Sequence, residues 1–178
     1  MTLPLLTPEW DETVRQAALV APVDRHGRLL LQLREARDGI AAPGLWSFFG
    51  GGFEAGETPL EALVREVEEE IGLRPALSDL NPIGRALGVL TPKVALHCWL
   101  WRFPHDLSDI RLKEGAGFGV FHEPQLEDLP LNPSLAPVLA WLTRGGHLRR
   151  APLPRPSVEE DGQEADQQEQ CHRYVEHP

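Results

Sequence analysis

The sequence predicts an α/β fold in which a central mixed β-sheet lies between helices. Short apolar stretches typical of strands occur on both sides of one amphipathic helix, and a second amphipathic helix follows near residue 140. Helices on two faces of a sheet bury the apolar sides of both kinds of element. With 178 residues, 42% of them hydrophobic, the chain is long enough for one domain with a real core.

The predicted strands are bounded by turn residues and glycines. Residues 17–35 indicate two strands joined by a turn at 24–27, and residues 44–52, GLWSFFGGG, indicate an aromatic strand that stops at glycines. Residues 81–90 and 94–103 indicate a further pair, broken near Thr91 and Pro92, and residues 117–122 a last short strand. Residues 132–146 favour a second helix, with Asn132 or Ser134 as its cap.

The first helix is predicted over 59–71 from its own end signals. Thr58 is a good N-cap, Pro59 suits the first helical position, and Glu61 completes a capping box. Gly72 is a natural stop. At roughly 100° per residue, one apolar stripe is expected to pack on the sheet; its members are Leu60, Leu63, Val64, Val67 and Ile71.

Beside that stripe, the wheel places a cluster of acids formed by Glu66, Glu69 and Glu70. The helix follows three glycines, 50–52, at which a ligand can approach the backbone. Clustered carboxylates and open carbonyl groups are ligands for a hard divalent cation such as Mg²⁺. From the residues alone, two interpretations stay open: a solvated acidic face and a metal site.

The spacing of these residues resembles the Nudix box of the Nudix hydrolase (MutT-like) superfamily. Gly51, Glu57 and the run 65–73, REVEEEIGL, match the box in identity and spacing, so that it is complete over residues 51–73. The resemblance implies a Nudix α/β/α sandwich over residues 1–150. It also implies hydrolysis of a nucleoside diphosphate linked to another moiety, with Mg²⁺ as cofactor or Mn²⁺ in its place.

The resemblance also implies roles for individual residues. Catalysis and metal binding are expected at Glu66, Glu69 and Glu70, with Glu66 or a water relay as the base. The carbonyl group of Gly51 is expected as a further ligand. Glu57 and Arg65 match the ion pair that locks the loop to the helix and supports the site.

Outside the box, the candidates each have a plainer alternative. Glu114 adds a metal ligand or the base, or it is a solvated loop carboxylate. Arg34 and Arg37 clamp the phosphates, or they lie on the surface. Trp46 stacks on a base or packs in the core. His97 is expected as a buried structural residue rather than a catalytic one.

The substrate predicted from the resemblance is a free nucleoside di- or triphosphate, as in housecleaning of the nucleotide pool. The chain's one tyrosine is Tyr174, near its end, which disfavours dinucleoside polyphosphates, whose family pattern has a tyrosine soon after the box. The alternatives are a nucleotide-sugar or ADP-ribose pyrophosphatase and a non-catalytic nucleotide-binding module. Many relatives are dimers, which favours a homodimer.

Charge and composition narrow the partners and the compartment. A net charge of −10 argues against nucleic acid or an anionic membrane as the main partner. No apolar run approaches the roughly 20 residues of a membrane helix, and the N-terminus lacks the pattern of a signal peptide, so a cytoplasmic protein is expected. Residues 151–178 are acidic and rich in Pro and Gln, which predicts a disordered or loosely attached tail.

Overall fold

The computed structural model describes residues 4–10, 14–90 and 92–148. It confirms the mixed sheet between helices that the sequence predicts. The predicted tail at 151–178 lies outside the described residues. Within the described part of the chain, no helix is long and apolar enough to cross a membrane.

The described residues form seven strands and two α-helices, joined by turns and short 3₁₀ segments. The strands are β1 (Arg15–Val23), β2 (Leu29–Leu33), β3 (Trp46–Ser47), β4 (Phe49–Gly52), β5 (Leu80–Leu87), β6 (Val94–Arg102) and β7 (Gly117–Phe121). The helices are α1 (Pro59–Ile71) and α2 (Ala136–Arg144).

The sheet is mixed and splits around β1 and β2. Its main order is β3-β2-β1-β6-β5, with β4 added to β1 and β7 added to β2. The β1–β6 pair is parallel, whereas the other pairs are antiparallel. β1 pairs with β2 at Val23 and Leu29, whereas residues 17–20 of β1 pair with β4 on the same edge.

The expectation of one aromatic strand at residues 44–52 is wrong. β3 pairs with β2 and β4 pairs with β1, so the chain changes partner at Phe48. The alternation of side chains nevertheless holds, since Phe48 lies in the core on one face of the sheet and Phe49 in the core on the other. This change of partner brings the glycines of β4 next to α1.

Each face of the sheet has its own core. On one face, Val138 and Leu142 of α2 pack with Leu19, Leu31 and other residues of the sheet. On the other face, α1 covers Val20, Leu30, Phe49, Trp99 and Trp101 with Leu63, Val67 and Ile71. Alternate residues of β1 point to opposite faces, as the period of two in a strand requires.

Helix α1 has the predicted bounds and caps, but its buried face differs from the prediction. Thr58 and Glu61 form the capping box, and Gly72 ends the helix in the left-handed conformation, with φ of 71°. Leu60 is 36% exposed, because it lies in the first turn at the margin of the packed surface, and Ala62 is buried instead. Glu70 also belongs to the buried face rather than to its flank.

The second helix begins later than the sequence indicates. Residues Pro133–Leu135 form a 3₁₀ turn, and α2 itself starts at Ala136. Of the two predicted caps, Asn132 serves this turn, since its side chain accepts a hydrogen bond of 3.0 Å from the backbone N–H of Ser134.

Candidate active site

Arg65 is the centre of the ion pairs on α1. Its Nε and Nη2 donate to the two carboxylate oxygens of Glu57 at 2.7 and 2.9 Å. Nη1 donates to Glu66 at 2.8 Å and to Glu69 at 3.1 Å, and Nη2 reaches the carbonyl oxygen of Gly52 at 2.9 Å. The bidentate pair lowers the pKa of Glu57 to about 2. Arg65 therefore joins the loop before α1 to two predicted metal ligands.

Glu70 is enclosed between α1 and the sheet, with its side chain 2% exposed. Its Oε2 accepts a hydrogen bond of 2.8 Å from the backbone N–H of Gly50, and its Oε1 accepts one of 2.6 Å from Gln32. Nη1 of Arg34 lies 3.8 Å from Oε1. Burial raises the pKa of Glu70 to about 7, although these three groups favour the ionised form.

Glu66 lies directly against the backbone of β4. A Cβ added to Gly51 would collide with the carboxylate of Glu66, so a glycine is needed for this close approach. Burial is the largest effect that raises the pKa of Glu66, and the charges of Glu69 and Glu114 raise it further, while Arg65 opposes them. These acids are therefore near enough to repel one another.

Glu114 is held near the box by the end of α1. The backbone N–H groups of Arg111 and Lys113 donate to the carbonyl oxygens of Ile71 and Glu70, at 3.0 and 2.8 Å. The last carbonyl groups of a helix need such partners. This segment thereby satisfies them and carries Glu114 to a position from which its charge acts on Glu66.

The two candidate arginines have different surroundings. Arg34 faces Glu70, and its Nε donates to the carbonyl oxygen of Ala41 at 3.3 Å. Arg37 is exposed and forms an ion pair with Glu35. The structure thus brings Arg34 to the acids, whereas Arg37 is engaged on the surface.

The aromatic candidates have packing partners in the fold. Trp46 is half-buried and meets Phe121 edge to face, with ring centroids 4.9 Å apart. His97 is 7% exposed and shares a 2.8 Å hydrogen bond with Gln16. Its surroundings agree with the structural interpretation.

The donor set fits a hard divalent cation, although the acids are not drawn together around one point. Among the described residues, no three His, Cys, Asp or Glu side chains form a group that would hold a metal ion. Arg65 bonds both Glu66 and Glu69, whereas Glu70 bonds Gln32 and the N–H of Gly50. The available donors are all oxygen atoms, which suits Mg²⁺ or Mn²⁺ better than softer ions. Binding would require the contacts of Arg65 to rearrange.

A cavity of about 390 Å³ lies elsewhere in the fold. It is lined by Val23, Arg25, Arg102 and His147, among others. Val23 is five residues along β1 from Ala18, the partner of Gly51 in the sheet, which corresponds to roughly 16 Å. The cavity is therefore separate from the acids, and the chemistry is assigned to the acids.

Comparison with known proteins places the chain in a family. The family model of the NUDIX domain matches residues 12–142. The chain belongs to the Nudix family. Nudix hydrolases generally use divalent metal ions. The matched range includes the whole predicted box at residues 51–73.

Two curated relatives are nucleoside triphosphatases named NudI. The protein from Enterobacter sp. (strain 638) is 39% identical over 69 residues, which cover 39% of this chain and 49% of the relative. The protein from Salmonella schwarzengrund (strain CVM19633) is 41% identical with the same coverage. The Nudix chain thus spans about half the length of the curated relatives it matches.

Solved structures share the fold at low identity. The MutT protein from Methanosarcina mazei Go1 has a TM-score of 0.65 and 19% identity, covering 78% of this chain and 99% of that one. The NUDIX domain of Shewanella oneidensis NrtR, complexed with ADP ribose, has a TM-score of 0.61 and 12% identity, covering 77% and 94%. At these identities the likeness concerns the fold.

Two neighbours of the acids were absent from the sequence prediction. Gln32 and the N–H of Gly50 both bond Glu70. Gln32 carries a usable signal, since it is the one polar residue of the apolar run LLLQL in β2. The N–H of Gly50 carries no signal in the sequence, because its bond to Glu70 depends on how β4 packs against α1.

Proposed function

We propose that this Nudix chain is a divalent-metal-dependent pyrophosphohydrolase that cleaves the diphosphate linkage of a nucleoside di- or triphosphate. The observation that supports it best is the group of acids around Arg65. Arg65 donates hydrogen bonds to Glu66 and Glu69, and, besides burial, the charge of Glu114 raises the pKa of Glu66. Three carboxylates, those of Glu57, Glu66 and Glu69, share the one guanidinium group of Arg65, so the cluster keeps a net negative charge that a further cation would relieve. A solvated helix face offers no reason for the loop after residue 110 to bring Glu114 near the acids of α1.

Mg²⁺ or Mn²⁺ would be held by Glu66, Glu69 and Glu70, with Glu114 and the carbonyl oxygen of Gly51 as further candidates. Such an ion neutralises charge on phosphate oxygens and makes water more acidic. Arg65 and its partner Glu57 would support the ligands from outside. The box has kept all three of its glutamates, which favours an enzyme over a non-catalytic binding module.

The protein's own side chains suggest how substrate and proton are handled. Arg34 and Arg37 are the candidates for binding phosphate oxygens. Arg34 lies beside Glu70, whereas Arg37 would have to leave its surface ion pair with Glu35. Glu66 is our candidate for the base. Burial raises its pKa, and a raised pKa strengthens a carboxylate as proton acceptor for the attacking water.

The names of the curated relatives support a substrate class. The curated relatives are nucleoside triphosphatases, which favours nucleoside triphosphates over nucleotide sugars and ADP-ribose. We would incubate the protein with nucleoside di- and triphosphates, a nucleotide sugar and ADP-ribose, with Mg²⁺, with Mn²⁺ or with EDTA, and measure the products. Preferred cleavage of ADP-ribose would show that the substrate is ADP-ribose rather than a nucleoside triphosphate. Tight binding of a nucleotide without cleavage would show a non-catalytic binding module.

Variants of neighbouring glutamates test the site itself. Glu69→Gln should lower kcat by at least about 100-fold, more than residues that only support a ligand usually cost. Glu68→Gln is the matched control, because Glu68 is similarly exposed on the same helix and pairs instead with Arg74. Near wild-type turnover in Glu69→Gln would contradict the assignment.

A further inference from the structure

Gln32 is a buried polar residue that the Nudix box does not include. It lies in β2 among apolar neighbours and is 1% exposed. An apolar side chain would serve a purely structural position in this core equally well, since a buried amide must find hydrogen-bond partners. The partners of Gln32 therefore indicate why an amide is present.

The donor end of the amide holds Glu70. Nε2 of Gln32 donates to Oε1 of Glu70 at 2.6 Å and lies 3.4 Å from the carbonyl oxygen of Phe48. The reversed amide would turn its oxygen toward both acceptors, so the orientation is fixed by its surroundings. Because Gly50 holds the other oxygen of Glu70, the carboxylate is fixed at both ends.

The bound carboxylate still has room for another ligand. An ionised carboxylate can accept at about four positions. Gln32 and Gly50 each use one of these positions, while Nη1 of Arg34 stays 3.8 Å away. Two hydrogen bonds can thus orient Glu70 without saturating it.

The acceptor end of the amide faces the loop that carries Glu114. A Cβ added to Gly115 would lie 2.9 Å from Oε1 of Gln32, and the N–H of Ala116 bonds the carbonyl oxygen of Leu33 at 2.8 Å. Oε1 itself has no hydrogen-bond partner in the described part of the chain. Gln32 thus bonds a ligand candidate on α1, while its amide oxygen lies beside Gly115 without bonding it.

We propose that Gln32 is a positioning residue, which orients the Glu70 carboxylate for divalent-cation binding. This inference rests on the proposed function, which makes Glu70 a metal ligand. Residues that orient metal ligands typically change metal affinity or activity by 10–100-fold when they are replaced. Gln32 belongs to that class by its contacts, although it lies outside the box.

The test compares Gln32→Met with Gln125→Met. Methionine keeps the length of the side chain and removes its hydrogen bonds, whereas Gln125 bonds only the turn at His122 among the contacts described. We expect Gln32→Met to weaken Mn²⁺ binding, measured by calorimetric titration without substrate, by about 10–100-fold. We also expect kcat to fall over the same range while KM stays within about twofold, because the change acts on a ligand rather than on substrate contacts.

The possible outcomes distinguish failure of the proposal for Gln32 from failure of the proposed function. Unchanged Mn²⁺ affinity and kcat in folded Gln32→Met would overturn the proposal. If that variant unfolds, Gln32→Leu takes its place, and unfolding of both shows a structural residue and overturns it too. If the wild type binds Mn²⁺ but cleaves no nucleotide, the proposed function fails, and the comparison of Mn²⁺ affinities alone supports or overturns Gln32.

Discussion

At the scale of single residues, Gly51 determines where the carboxylate of Glu66 can lie. A side chain at Gly51 would meet both carboxylate oxygens of Glu66, whereas a Cβ on Gly52 would meet nothing within 4 Å. Neither glycine has a positive φ. The contrast between these adjacent residues therefore concerns space at Glu66 rather than backbone strain.

Alanine at position 51 is expected to lower kcat, whereas alanine at position 52 is not. Gly51→Ala should displace the flexible end of Glu66 and lower kcat by at least about 10-fold, since a shift of about 1 Å in a catalytic group can cost 100-fold. Gly52→Ala should keep kcat within about twofold of the wild type. Steady-state kinetics and thermal melting of both variants check this. Equal activity in the two variants would show that the position of Glu66 does not matter.

At the scale of elements, local signals predicted α1 better than the strands around it. The cap at Thr58, the stop at Gly72 and the spacing of apolar residues all lie within the helix, so its bounds could be read from the sequence. The division between β3 and β4 could not, because it depends on pairing with strands far away in sequence. Sequence spacing therefore located the acids but not the sheet beneath them.

The burial of Glu70 was missed for a related reason. A helical wheel gives the angle of a side chain but not the groups opposite it. Glu70 can be buried because Gln32 and the N–H of Gly50 meet its carboxylate, and buried charge without such partners is costly. The family resemblance supplied the candidate ligands, whereas their environment required the packed elements.

The pair of Glu57 and Arg65 joins the loop to α1 and predicts a pH dependence. Arg65 lowers the pKa of Glu57 from 4.5 to about 2. The unfolded chain then binds more protons than the folded one between these values, so the stabilisation is present above about pH 4.5 and is lost as the pH falls through about 2. Glu57→Gln should thus lower the free energy of unfolding at pH 7, and its difference from the wild type should shrink in acid.

Urea unfolding in EDTA at several pH values measures this difference. Glu127→Gln removes one exposed charge in the 3₁₀ turn at 123–128 and controls for the change in net charge. A difference between the wild type and Glu57→Gln that is the same at all pH values would refute the role of the ion pair.

At the scale of the whole molecule, four parts of the chain meet at the acids. β2 contributes Gln32, β4 contributes its glycines, α1 contributes the box, and the loop after residue 110 contributes Glu114. Their arrangement depends on both packing of α1 and the hydrogen bonds at its end. A cation bound there should therefore stabilise the folded chain as a whole.

Binding of Mg²⁺ should raise the melting temperature. A ligand at 100 times its Kd stabilises the folded state by about 2.7 kcal/mol, which corresponds to roughly 5–10 °C for a domain of about 150 residues. EDTA should reverse the shift, and Glu66→Gln should remove most of it, whereas Glu68→Gln should keep it. Calorimetry with NaCl at equal ionic strength separates binding from screening, because screening of repulsion among the acids would give the same shift with Na⁺. An equal shift in NaCl would therefore rule out a specific cation site at Glu66.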